Sequence, residues 1–108
     1  MRLRDDARLI FDHALSAVDP RAAVKQSVNQ LNLSSRPVYS IAIGKAATSM
    51  ALGLDEALGE KLTAGVIVSS TPLNSDRWQS FVGGHPLPNE ASLASARAAF
   101  ALTDRATA

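Results

Sequence analysis

Two short segments combine residue types that could hold an anion. The first is Gly44-Lys45-Ala46-Ala47, which follows the uncharged run Val38-Tyr39-Ser40-Ile41-Ala42-Ile43. In open α/β sheets, ligands sit beyond the carboxyl ends of the strands. A helix that starts there turns free N–H groups outward, and its dipole favours negative charge. Gly44 permits a tight turn and close backbone approach. Lys45 adds a full positive charge on a flexible stem, and the small side chains of Ala46 and Ala47 leave the mouth open. The segment is not a P-loop, which would need Gly where Tyr39 stands and Ser or Thr where Ala46 stands. Nor does it carry a G-x-G-x-x-G dinucleotide fingerprint. Spacing alone leaves two readings open: an anion site, or a plain strand–helix turn with a solvated lysine.

The second segment is Gly83-Gly84-His85-Pro86-Leu87-Pro88-Asn89-Glu90. Two glycines after a strand allow a ligand to approach the backbone closely. Pro86 pushes His85 into an extended conformation. A fixed histidine beside a helix N-terminus could donate to an anion or shuttle a proton. A rigid turn with a solvated histidine is the other reading.

Other polar residues point to structure. His13 has no second ligand at metal spacing, and a surface or boundary histidine suffices. Trp78 reads as a packing anchor. Asp55-Glu56 and Glu60-Lys61 read as a solvated helix face. Ser69-Ser70-Thr71 could line the same rim as Gly44 or simply begin a loop. The carboxylates form no metal pair, so no metal site is assigned.

These segments need elements to place them. Residues 3–18 form a helical stripe of Leu3, Ala7, Ile10, Phe11, Ala14, Leu15 and Val18. Asp19 can cap a second helix, with Pro20 at its first position and Ala23, Val24, Val28 and Leu31 inward. Val38–Ile43 suits a parallel strand covered on both faces. Lys45 to about Glu60 reads as a helix with Ala47, Met50, Ala51, Leu54 and Leu58 inward. Gly65–Ser69 reads as a second strand, and Phe81-Val82 as the start of a short third one. Asn89 caps a last helix running to about Arg105, with Leu93, Ala96, Phe100 and Thr103 inward. Strands alternating with helices argue for an α/β layered sheet, small and mainly parallel, preceded by two N-terminal helices. The first two strands should be parallel neighbours joined by a right-handed crossover. The far edge of so small a sheet would be exposed, and self-association through it is one expectation.

Composition excludes several classes. The chain has 108 residues, 46% hydrophobic and 19% charged, which describes a globular domain or part of one. Its net charge of +1, without a Lys/Arg run, argues against nucleic acid as a partner. Without cysteine there is no thiolate nucleophile or disulfide framework. No apolar stretch approaches the ~20 residues that span a bilayer, so no membrane partner is expected. The N-terminus lacks a signal-like apolar core, and the cytoplasm is the default expectation.

The segment Ile41-Ala42-Ile43-Gly44-Lys45-Ala46-Ala47-Thr48-Ser49-Met50 resembles the first motif of the type 2 glycerate kinases. Older naming labels some members hydroxypyruvate reductase. Gly84-His85-Pro86-Leu87-Pro88-Asn89-Glu90-Ala91-Ser92-Leu93 resembles their second motif, usually G-H-P-x-P-D-E. The leading helices and Gly65-Val66-Ile67-Val68 match in order and spacing. The resemblance implies ATP-dependent phosphorylation of D-glycerate at its 2-hydroxyl, with a divalent metal such as Mg. It also implies a Rossmann-like N-terminal sandwich, the MOFRL-associated domain, of which residues 1–108 would be the first part. The family's motif lysine falls on Lys45, implied as catalytic through neutralising phosphate or substrate charge. Gly44, Lys45, Ala46, Gly84, His85 and Pro86 would bind substrate or phosphate. Asn89 stands where the family usually has Asp. Family members are several times longer, and their nucleotide loop and second domain have no counterpart here. The first expectation is therefore the N-terminal portion of a glycerate 2-kinase, inactive alone. An anion-binding or interaction module without catalysis is the alternative. A hydroxypyruvate reductase ranks last, because no dinucleotide fingerprint is present.

Overall fold

The computed structural model describes residues 2–33, 36–84 and 87–107. Two helices lead, α1 (Arg2–Ala17) and α2 (Pro20–Asn29). They are followed by β1 (Val38–Ile43), α3 (Ala47–Leu58), a short 3-10 turn (Gly59–Lys61), β2 (Leu62–Val68), β3 (Trp78–Phe81) and α4 (Glu90–Thr107). The fold is mixed α/β with a small parallel sheet, in the order β1-β2-β3.

Sequence chemistry accounts for these boundaries. The Asp19 carboxylate accepts the Ala22 N–H at 3.1 Å, and Pro20 occupies the first turn of α2, as read from the sequence. β1 coincides with its apolar β-branched run. Three expectations shift. α3 begins at Ala47, not Lys45, because Gly44 to Ala46 form a turn first. β2 begins at Leu62, earlier than Gly65. β3 occupies Trp78–Phe81, with Val82 beyond it, because Trp78 itself pairs in register with Gly65.

Gly65 explains that pairing. A Cβ built on it would lie 2.3 Å from the Trp78 ring, so the missing side chain is what lets the indole cross the strand. Trp78 is the buried packing anchor expected. It joins Ala47, Ala51, Leu58, Leu62 and Ile67 in the core between the sheet and α3. α2 lies against α3, close enough that a Cβ on Gly53 would sit 2.2 Å from the Arg21 carbonyl. α4 covers the other face, where Val66 and Leu102 are buried. There the Arg105 guanidinium sits 5.3 Å from the centre of the Tyr39 ring.

Several burial expectations fail, for identifiable reasons. α1 buries none of its residues: Leu3, Ile10, Phe11, Leu15 and Val18 are all more than half exposed. The stripe exists, but none of the described elements buries it. α2 ends at Asn29, before Leu31, and both Ala23 and Leu31 are exposed, whereas Val24 and Val28 are half-buried toward α3. Met50 of α3 looks outward past the edge of β1. α4 is rotated from its expected setting, with Leu93, Ala96, Phe100 and Thr103 exposed and Ser95 and Leu102 buried. An alanine-rich helix offers apolar surface on several sides, so its periodicity does not single out one face.

The charged helix face is also not simply solvated. Glu56 of α3 pairs with Arg21 and Lys25 of α2, the latter at 3.4 Å. Asp55 faces Arg77 at 3.6 Å, while Arg77 donates to the Gly59 carbonyl. These pairs connect α3 to α2 and to the segment entering β3.

Candidate functional site

Because the strands run parallel and in register, Ile43, Val68 and Phe81 end at one edge of the sheet. Everything leaving that edge forms a rim. The Gly44 N–H donates to the Val68 carbonyl at 2.9 Å, and the Ser69 N–H to the Phe81 carbonyl at 3.1 Å, so the ladder extends one residue past β1 and β2. Two strand spacings separate β1 from β3, about 10 Å. Both glycine-containing segments therefore lie on the same rim, on opposite sides of β2.

The first segment is open. Gly44 has φ +117°, a conformation L side chains rarely adopt. Nothing lies within 4 Å of where its Cβ would be, so backbone geometry rather than close contact explains this glycine. The turn closes with the Ala47 N–H donating to the Gly44 carbonyl at 3.2 Å. Ala46 stands at the N-cap position of α3 without a capping side chain. Among the described residues, the N–H groups of Thr48 and Ser49 have no hydrogen-bond partner. Lys45 is exposed and makes no ion pair among the described residues. Free N–H groups at a helix start beside a lysine suit an anionic oxygen.

The turn is anchored from behind. The Thr48 hydroxyl donates to the Thr71 carbonyl, and the Thr71 N–H donates to the Ser69 hydroxyl at 3.3 Å. Ser69 is buried. Of the Ser69-Ser70-Thr71 trio, Ser69 thus supports the loop and Ser70 is exposed on the rim.

The second segment is closed on itself in its described part. Asn89 caps α4 by accepting the Ser92 N–H at 2.9 Å. The Ser92 hydroxyl in turn accepts the N–H groups of Gly84 at 3.1 Å and Asn89 at 3.2 Å. This is a reciprocal cap with serine in the place usually held by Glu or Gln. Gly84 must be glycine for space, since a Cβ would meet the Leu87 carbonyl at 2.0 Å. Ser92 was missed as an organising residue in the sequence; a polar residue three positions after the cap was the available signal. His85 and Pro86 lie outside the described residues. His13 is exposed on α1, far in sequence from the rim.

Among the described residues, the donor set of the rim is N–H groups, hydroxyls and one ammonium. It fits an anion. It does not fit a divalent cation, which takes carboxylate and carbonyl oxygens, and the described residues hold no cluster of three or more potential metal-binding side chains.

A family described as a domain of unknown function, DUF4147, matches residues 6–108. The chain is 36% identical over 101 residues to a D-glycerate 2-kinase of Thermotoga maritima, covering 89% of this chain and 23% of that protein. It is 33% identical over 103 residues to a putative hydroxypyruvate reductase of Agrobacterium vitis, covering 91% of this chain and 22% of that one. The crystal structure of a Thermotoga maritima glycerate kinase superposes with a TM-score of 0.82 at 34% identity, covering 94% of this chain and 25% of the other. The chain thus spans about a quarter of the length of these relatives.

Proposed function

The chain belongs to the DUF4147 family, and from that premise we propose that it forms the anion-binding portion of an ATP-dependent glycerate 2-kinase. The observation that carries this reading is the open turn at Gly44–Ala46, with uncapped N–H groups of α3 beside Lys45. Its support is likeness to proteins named glycerate kinase. Phosphoryl transfer depends on positioning and on stabilising charge spread over non-bridging oxygens. Lys45 and the first turn of α3 would hold one anionic oxygen, of the phosphate donor or of the glycerate carboxylate. Gly84, with His85 and Pro86, would shape the opposite side of the substrate cleft. ATP would supply the phosphoryl group. The described rim residues do not fit a metal, so a Mg ion would be held by other residues, and no step is assigned to it here. Its setting would be the cytoplasm, with glycerate and nucleotide as small-molecule partners.

The test uses the Thermotoga maritima kinase with its matched quarter replaced by this chain. Lys45→Ala in that chimera should lower kcat/KM for glycerate phosphorylation by about 10²-fold, the effect of losing one charge-stabilising donor. An unchanged kcat/KM would overturn the role of Lys45. The isolated 108-residue chain should show no glycerate-dependent ATP turnover near 1 s⁻¹, the low end for kinases.

The second reading, an anion-binding module without catalysis, is favoured by a turn of free N–H groups beside Lys45 that carries neither a P-loop nor a dinucleotide motif. Phosphate binding by the isolated chain without turnover in the chimera would select it. A reductase activity is ranked last, and NADH binding in a titration would revive it.

A further inference from the structure

The start of α3 differs from an ordinary helix N-terminus in how it is held. Its N-cap position is Ala46, which has no side-chain acceptor. A Ser, Thr, Asp or Asn cap would fix the first turn, but by engaging the N–H of the second or third helical residue. Those residues are Thr48 and Ser49, and among the described residues their N–H groups are left free. A capping side chain would therefore compete with an anion for the same donors. A helix end held by nothing frays, and a ligand must then order it on binding.

The turn is held from outside the helix instead. At its beginning, the Gly44 N–H donates to the Val68 carbonyl at 2.9 Å. At its end, the Thr48 hydroxyl donates to the Thr71 carbonyl. Both acceptors lie within residues 68–71, where β2 ends and the following loop begins. That segment is pinned to β3 in turn. The Ser69 N–H donates to the Phe81 carbonyl at 3.1 Å, and the Leu73 N–H donates to the Ser80 hydroxyl at 3.0 Å. The Ser69 hydroxyl, on a residue only 5% exposed, accepts the Thr71 N–H at 3.3 Å. A continuous set of bonds thus runs from the first turn of α3 through Thr71 and Ser69 to the end of β3. A threonine hydroxyl within a helix commonly turns back to a carbonyl three or four residues earlier. The Thr48 hydroxyl leaves the helix for Thr71.

We infer that the Thr48 side chain is a positioning group for the anion turn and does the work of the missing cap. It fixes the first turn of α3 while leaving the N–H groups of that turn unoccupied. Its hydroxyl acts through the backbone it holds and does not itself meet the anion. The inference rests on the reading of Gly44–Ala46 and the start of α3 as an anion site. It adds that the loop after β2, remote in sequence, governs how firmly that site is formed.

The probe is inorganic phosphate, titrated into the 108-residue chain and followed by the amide shifts of Lys45, Thr48 and Ser49. Thr48→Val keeps the shape of the side chain and removes the hydroxyl. It should raise the Kd for phosphate about tenfold, the scale of one lost hydrogen bond. Thr48→Ser retains the hydroxyl and should stay within about twofold of the unsubstituted chain. Ser69→Ala loosens the same link from outside the helix and should weaken binding about threefold. Because both changes break one chain of bonds, the double variant should bind no more weakly than Thr48→Val alone. Urea unfolding of each variant separates a loss of affinity from a loss of fold, and Ser69→Ala reaches the link without altering α3.

Unchanged phosphate binding by Thr48→Val, with binding weakened in Lys45→Ala, overturns the inference and leaves the anion site standing. A serine variant as weak as the valine one also overturns it, and so do losses that add in the double variant. An unsubstituted chain whose amides do not respond to phosphate overturns the anion reading and the inference together.

Discussion

Gly44 and Gly84 show that two glycines on one rim are required for different reasons. At Gly44 the constraint is conformational, because φ is +117° and the space around it is empty. Gly44→Ala should therefore cost about 1–2 kcal/mol, all of it backbone, measurable by urea denaturation. Gly84 is instead pressed against the Leu87 carbonyl. Ser92 holds that loop by accepting two N–H groups with one hydroxyl. Ser92→Ala should destabilise the chain by about 1–2 kcal/mol in the same assay. Asn89→Asp should change stability by less than about 0.5 kcal/mol, since both side chains cap a helix well and the charge suits its dipole. A large loss there would show that Asn89 donates a hydrogen bond through its amide, beyond the capping role seen.

Elements differ in how firmly they belong to the fold. α2 and α3 are locked at Gly53, where a Cβ would strike the Arg21 carbonyl. Gly53→Ala gains up to about 1 kcal/mol in helix propensity. It should still be destabilising by about 1–3 kcal/mol, because a backbone carbonyl cannot turn aside as a side chain can. Thermal or urea unfolding checks this. α1 is the opposite case. It has an apolar stripe, yet buries no residue. Its helical periodicity was legible because it depends on local spacing. Its lack of a partner was not legible, because spacing says which face is apolar and nothing about what lies opposite. The same limit explains α4, whose exposed Leu93 and Phe100 form a better apolar pair in sequence than the buried Ser95 and Leu102.

The whole molecule is extended for its size. Its radius of gyration is 16.8 Å, with extents of 59 × 38 × 19 Å, whereas a compact chain of this length gives about 13 Å. A protruding α1 is the main structural reason. Deleting residues 2–17 should lower the radius measured by small-angle scattering while leaving the unfolding midpoint nearly unchanged, because no buried residue is lost. A large fall in the midpoint would mean that α1 packs on the rest of the chain in solution. The apolar surface of β1 and the outer face of α4 remain exposed on this scale, with Ile41, Ile43, Leu93 and Phe100 each more than two-fifths exposed.

The sequence by itself determined the local units. The run Val38–Ile43, the Asp19-Pro20 cap and the Asn89 cap are set by side-chain shape and by hydrogen bonds within a few residues. It also marked Gly44-Lys45 as a strand–helix junction that could take an anion. Tertiary structure alone decided that this junction and the Gly84 segment lie on one rim. It decided the rotation of α4 and the early start of β3, because Trp78 finds its place only across Gly65 of another strand. Those outcomes depend on contacts between residues far apart in the chain, and periodicity carries no information about such contacts.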